Sequence, residues 1–250
     1  MRSVVISLML FGCLCLPQAA RADEYAKPSW PSMVRVLARF NAFDFSDEKL
    51  LEEYAIVTEC EMYEQFYRDD FRWHKVLQAV KTSIGQFSMT YPTSYAYDVE
   101  LQLGRYDFKN KLFRFTEKSK IYNVNSFVLF QASAKACVGG RHIAFIPSVF
   151  RAVLDAAVYI PGLPLSQKDS EMLLELMDRD NNPSRIVKAR FNLRVIYVEK
   201  FHRTSDGDQG YYYTQKDKHE GPSARLEAHL DSVEFFEDAA MRKLIYTYRP

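Results

Sequence analysis

The amino-acid sequence predicts an α+β protein, with an N-terminal helical segment packed on an antiparallel β-rich portion that carries one inserted helix. Three observations lead there. Apolar residues recur at helical spacing up to about residue 92, the period drops to two from Tyr95 onward, and one further helical stretch follows Ser166.

Residues 1–22 read as a cleavable signal peptide. Arg2 gives the positive start, Val4 to Leu16 is almost unbroken apolar text, and Ala20-Arg21-Ala22 sets small residues where a signal peptidase cuts. At about 13 residues the apolar run falls short of the roughly 20 that span hydrocarbon as a helix. Cleavage after Ala22 is therefore expected, and with it a periplasmic or secreted protein. Leu10-Phe11-Gly12-Cys13 offers the rival reading of a lipoprotein with lipid on Cys13, against which Phe11 is bulky for its place. Loss of Arg2 and Arg21 leaves 31 of 33 basic residues against 32 acidic ones, a formal charge of −1. Basic and acidic residues are interleaved throughout, so the clustered cationic face that nucleic acid requires is not expected. No later stretch is apolar for long enough to predict a transmembrane segment, since Arg151 and Asp155 interrupt Val149 to Ile160.

Residues 23–92 form the expected helical portion. Ser46 is the anticipated N-cap, with Asp47 and Glu48 in the first turn. Leu51, Tyr54, Ala55, Thr58, Met62 and Phe66 then make one stripe, with Cys60 on another face beside Ile56 and Tyr63. Arg68-Asp69-Asp70 interrupts the pattern; Asp69 or Asp70 would cap a second segment carrying Trp73, Val76, Leu77, Val80, Ile84 and Phe87. The pattern allows one bent helix or two packed ones, and length favours two.

Residues 93–250 form the β-rich portion, expected to make one structural unit with the helices. Tyr95, Tyr97, Val99, Leu101 and Leu103 alternate with polar residues, Gly104 marks a bulge or bend, and Phe113 and Phe115 close a hairpin after Lys109-Asn110-Lys111. Strands are expected at Ser126 to Gln131 and His142 to Ile146. Ser148 to Ile160 fits either a strand or a helix. Ser166 should cap a helix over Gln167 to Met177, which Asn181-Asn182-Pro183 ends. Two similar segments, Ala189 to Val195 and Ala224 to Leu230, hint at a duplicated hairpin or at two strands with one pattern; Lys243 to Tyr248 is the last strand.

The thiols that outlast the signal are Cys60 and Cys137. In an oxidising compartment an even pair reads as one disulfide, with buried free thiols or a catalytic cysteine as the other readings. Closing the loop of roughly 77 residues would contribute at most about 4 kcal/mol on the chain-entropy model.

The sequence predicts no catalytic residue, metal site or cofactor. His74, His142, His202, His219 and His229 lack zinc-ligand spacing. Asp178, Asp180 and Asn182 imitate a calcium loop that fails at Pro183 and Ala189. Nucleophile elbows and phosphate-binding glycine loops are missing. The aromatic load stands out, at 14% with 16 tyrosines. Tyr211, Tyr212 and Tyr213 follow a flexible loop holding Asp206 and Asp208, an arrangement suited to ligand binding as well as to a strand edge.

Thr58-Glu59-Cys60-Glu61-Met62-Tyr63, Asp69-Asp70-Phe71-Arg72-Trp73 and Leu103-Gly104-Arg105-Tyr106-Asp107-Phe108 resemble a family of exported bacterial proteins of unknown function. The resemblance covers most of the chain after residue 22. It implies export and a shared fold, and no reaction. The functional expectation is a non-catalytic binding or interaction protein of the envelope, partnered by another envelope protein or a glycan and not by nucleic acid. The alternative is an envelope hydrolase whose dispersed acids and histidines, such as His202 or His219 with Asp206 or Asp208, converge in space.

Overall fold

The computed structural model describes residues 25–132, 135–137, 141–179, 182–199, 222–238 and 240–250. Helix α1 (Trp30–Arg39) starts at a capping box in which Ser29 and Ser32 satisfy each other's backbone donors, with Pro31 in the first turn. Its buried residues include Met33, Val34, Val36, Leu37 and Ala38, so the helix is enclosed on most sides. Helix α2 (Glu48–Thr58) is capped by Asp47, whose carboxylate accepts the Lys49 and Leu50 amides. Ser46 does not hold the cap expected of it. Its own amide is taken by Asp44, which leaves the stronger anionic acceptor one residue later.

The expected continuous stripe breaks at Glu59, at φ −129° and ψ 49°, which ends α2 and precedes α3 (Cys60–Phe66). Met62 consequently leaves the buried face and is 46% exposed. Helix α4 (Asp70–Phe87) is capped by Asp69, as anticipated, and buries Trp73, Val80 and Ile84. A two-helix reading after residue 46 thus becomes three helices.

The β portion contains β1 (Ser94–Asp107), β2 (Leu112–Phe115), β3 (Ile121–Gln131), β4 (Lys135–Ala136), β5 (Arg141–His142), β6 (Val149–Ile160) and β7 (Gly162–Pro164). Then come α5 (Gln167–Arg179), β8 (Ile186–Val198), β9 (Ser223–Phe236) and β10 (Leu244–Tyr248). Eight strands form a curled sheet in the order β3-β6-β9-β8-β1-β2-β7, with β10 also on β9. The sheet is mixed, because β6 and β9 run parallel while the other pairs are antiparallel. The fold class is α+β, as the sequence predicts.

Strand β1 changes partner midway. Residues 94–102 pair with β8, and from Leu103 onward the strand pairs with β2, with an irregularity between Leu103 and Tyr106. Gly104 sits at that switch, where a Cβ would lie 3.2 Å from the Arg114 carbonyl oxygen. The stretch from Ser148 to Ile160 resolves as strand, burying Phe150, Ala152, Leu154, Val158 and Ile160. The strand expected over His142 to Ile146 stops at His142, and Ile143 to Ile146 is instead loop. The similar segments at 189–195 and 224–230 lie in β8 and β9, which pair with each other, so they are neighbouring strands obeying one pattern. A bulge between Asn192 and Leu193 leaves Asp231 as the extra residue and shifts the burial parity of β9, and Asn192 Nδ2 donates to Ser232 Oγ at 3.0 Å beside it.

Helices and sheet are joined by specific bonds. Trp30 Nε1 donates to the Pro147 carbonyl at 2.7 Å, and the Tyr95 hydroxyl donates to the carbonyls of Ser32 and Pro92. The Glu53 carboxylate, buried to 9% exposure, accepts the amides of Ala144, Phe145 and Ile146 at 2.8, 2.6 and 3.0 Å. This clasp explains why that loop departs from strand. Its amides bond to a side chain rather than to a neighbouring strand.

Candidate functional site

The break at Glu59 opens a cleft in the helical layer. Because α3 veers away from the line of α2, the side chains of Met62, Val76, Val80 and Ile84 face a hollow of about 370 Å³ that α1 and Tyr91 complete. The volume lies within the roughly 300–1,000 Å³ of small-molecule sites. Its apolar side chains come from α3 and α4, and its polar groups from Arg35, Tyr54, Glu59, Ser83 and Tyr91.

Arg35 of α1 and Glu59 at the end of α2 form the cleft's charged pair. Arg35 Nη2 donates to Glu59 Oε1 at 3.1 Å and to the Thr58 carbonyl at 3.3 Å, completing the C-terminus of α2 with a cation where the helix dipole favours one. The pair is partly solvated, at 35% and 40% side-chain exposure, so its worth lies in placement more than in stability. The Arg35 guanidinium stands 6.0 Å from the centre of the Tyr91 ring, within cation–π reach.

Tyr54 also lines the cleft and is 2% exposed. Its hydroxyl is buried and has no partner in hydrogen-bond geometry among the described residues, with the Tyr91 phenol close enough to interact with it. Burial raises its pKa far above the ordinary tyrosine range, and the nearby Tyr91 phenol adds to the rise, while Arg35 opposes it. Tyr54, Tyr91, Arg35 and Glu59 therefore gather at one end of an apolar hollow. Leaving a buried hydroxyl unpaired costs about 1–3 kcal/mol. A ligand acceptor placed there would remove that cost.

Cys60 follows Glu59 directly, at the start of α3. Its sulfur is in bonding contact with that of Cys137, and the two Cα atoms are 5.5 Å apart, inside the disulfide range. Cys137 Sγ also lies 3.2 Å from the Ile56 carbonyl oxygen. Glu64 Oε1 lies 3.8 Å from Cys60 Sγ, so the two sulfurs and this carboxylate form a compact donor group. The contact ties the cleft's helices to the segment that leads into the Glu53 clasp.

Other expected site residues fare differently. Asp206, Asp208, Tyr211, Tyr212 and Tyr213 lie outside the described residues, as do His202 and His219. His229 Nδ1 is 2.7 Å from Asp155 Oδ2, across β9 and β6. Both side chains are nearly half exposed, and the pair borders none of the hollows described here. Glu53 and Arg35, which the sequence reading did not single out, turn out to organise the helical layer.

No curated protein and no solved structure matches the chain. No helix among the described residues is long and apolar enough to cross a membrane. Residues 46–158, which run from α2 into β6, carry Cys60, Cys137 and all of the cleft except Arg35; this segment matches the family model described as a domain of unknown function (DUF4852).

Proposed function

We propose that this chain is an exported, non-catalytic binding protein of the bacterial cell envelope, and that its ligand enters the helical-layer cleft with a hydrogen-bond acceptor directed at Tyr54. The unpaired, buried Tyr54 hydroxyl at the polar end of an apolar hollow carries this reading. Natural proteins accept such a stability cost where a site needs the group. The contact between Cys60 and Cys137 supports a covalent disulfide and hence an oxidising compartment. An envelope protein or glycan that presents a small apolar group beside a carbonyl fits the space.

The reading is tested on the purified full chain with the fluorescent probe 1-anilinonaphthalene-8-sulfonate. The expected result is one saturable site, closed by Ala79→Trp at the cleft mouth and weakened by Arg35→Ala. Tyr54→Phe should bind the probe less well yet melt no lower than the parent, because it deletes an unsatisfied buried group. Probe binding indifferent to Ala79→Trp, or a Tyr54→Phe protein that melts several degrees lower, would overturn the assignment. The intact mass of the exported form should correspond to a chain beginning at Asp23 and lighter than the dithiol by two hydrogen atoms.

A further inference from the structure

A second hollow lies inside the curl of the sheet. The curl brings the end strand β3 over β1, although the two are four positions apart in strand order. Tyr97 of β1 stacks on Phe127 of β3, with ring centres 5.0 Å apart and planes 22° apart, and Phe127 meets Phe191 of β8 at 6.0 Å. Side chains rather than backbone bonds thus meet along this seam. Beneath it is a hollow of about 240 Å³ floored by Val99, Leu101, Ile121 and Val124. Tyr97, Val99, Val124 and Phe127 are each only half-buried, so the seam is closed incompletely.

The rim has the opposite character. The short turn Glu117–Ser119 between β2 and β3 brings Lys118 and Lys120 to the mouth. Lys118 has no carboxylate partner among the described residues. Lys120 lies 3.7 Å from Glu117, whose side chain is 90% exposed, and 5.5 Å from the centre of the Tyr122 ring. The other acid at the mouth, Glu100, is held by Lys188 Nζ at 2.6 Å. Two ammonium groups over an apolar slot select a molecule with an anionic head and a slender hydrocarbon body. The slot is smaller than the roughly 300 Å³ at which drug-sized sites begin, which suits a single chain and excludes a bulky ring system.

We infer that the β1–β3 seam binds a monomeric straight-chain fatty acid, its carboxylate between Lys118 and Lys120 and its chain on Val99, Val124 and Phe127. This site is separate from the helical cleft and stands without it. The test is calorimetric titration of the full chain with decanoate below its micelle concentration, with decanol as the uncharged comparison. Decanoate should bind saturably, more tightly than decanol. The surface double variant Lys118→Glu, Lys120→Glu should weaken it at least tenfold, Val124→Trp should abolish it, and Ala79→Trp in the helical cleft should leave it unchanged. The surface variant keeps the test decisive even where Val124→Trp misfolds. Decanoate binding that is absent, or insensitive to the charge reversal, overturns the inference. So does loss of decanoate binding in Ala79→Trp alone, or Lys118-dependent binding to phosphatidylglycerol vesicles that decanoate does not compete away.

Discussion

Removing the Glu53 carboxylate should unclasp the loop that joins the helical layer to the sheet. One carboxylate accepts three backbone amides there, Oε1 from Ala144 and Oε2 from Phe145 and Ile146. Hydrogen bonds to a charged acceptor are each worth roughly 1.5–3 kcal/mol net. They share one anion and cannot be summed, so Glu53→Ala is expected to cost about 3–5 kcal/mol, less than three times the roughly 1–3 kcal/mol of a single amide left without its acceptor. Glu53→Gln keeps one acceptor oxygen and turns an NH2 group toward at least one amide donor, so it should lose about 2–3 kcal/mol. At roughly 2–4 °C per kcal/mol for a chain of this size, Glu53→Ala should lower the melting temperature by about 6–20 °C. Thermal unfolding followed by circular dichroism measures this, and hydrogen exchange at Ala144 to Ile146 should quicken before the rest of the core. A Glu53→Ala protein melting within about 2 °C of the parent, with those amides still protected, would refute the clasp as a structural link.

Gly162→Ala should destabilise by about 1–3 kcal/mol, as overpacking does, because the added Cβ would press on the Phe113 carbonyl, whose carbon lies 2.9 Å away across the β2–β7 pair; urea unfolding reads it. Alkaline titration should show stability lost from about pH 10 upward. Tyr54 and Tyr95 have their pKa values raised in the fold, chiefly by burial. The unfolded chain releases those protons first, so their contribution is complete below the unfolded value and fades as pH climbs toward the folded one. Absorbance at the tyrosinate band should then rise together with unfolding, and ionisation of every tyrosine in a still-folded protein would contradict it.

How much of this was legible in advance differs by residue. Asp69 as a cap, the alternation from Tyr95 to Leu103, the hairpin to Phe115 and the helix after Ser166 are local patterns, and each appears in the fold. Ser46 failed because two acceptors one residue apart both suit a cap, and only the Asp44 side chain, which takes the Ser46 amide, decides between them. Ser148 to Ile160 could not be assigned because its apolar residues satisfy both periods. Its partners β3 and β9 on either side choose strand. Glu53 carries no sequence signal, since nothing local marks a helix carboxylate as the acceptor for a loop some 90 residues later.

By itself the sequence determined the class of the fold, the order and period of most elements, and the pairing partner available to Cys60, because propensity, capping and alternation act between residues close in the chain. Only the tertiary structure decided that α2 breaks at Glu59, that β6 lies parallel to β9, that Tyr54 is left unpaired in a cleft, and that β3 curls over β1 to place Lys118 and Lys120 above an apolar slot. These depend on which distant surfaces meet, and a one-dimensional pattern of polar and apolar residues specifies that a face will be buried without naming what buries it.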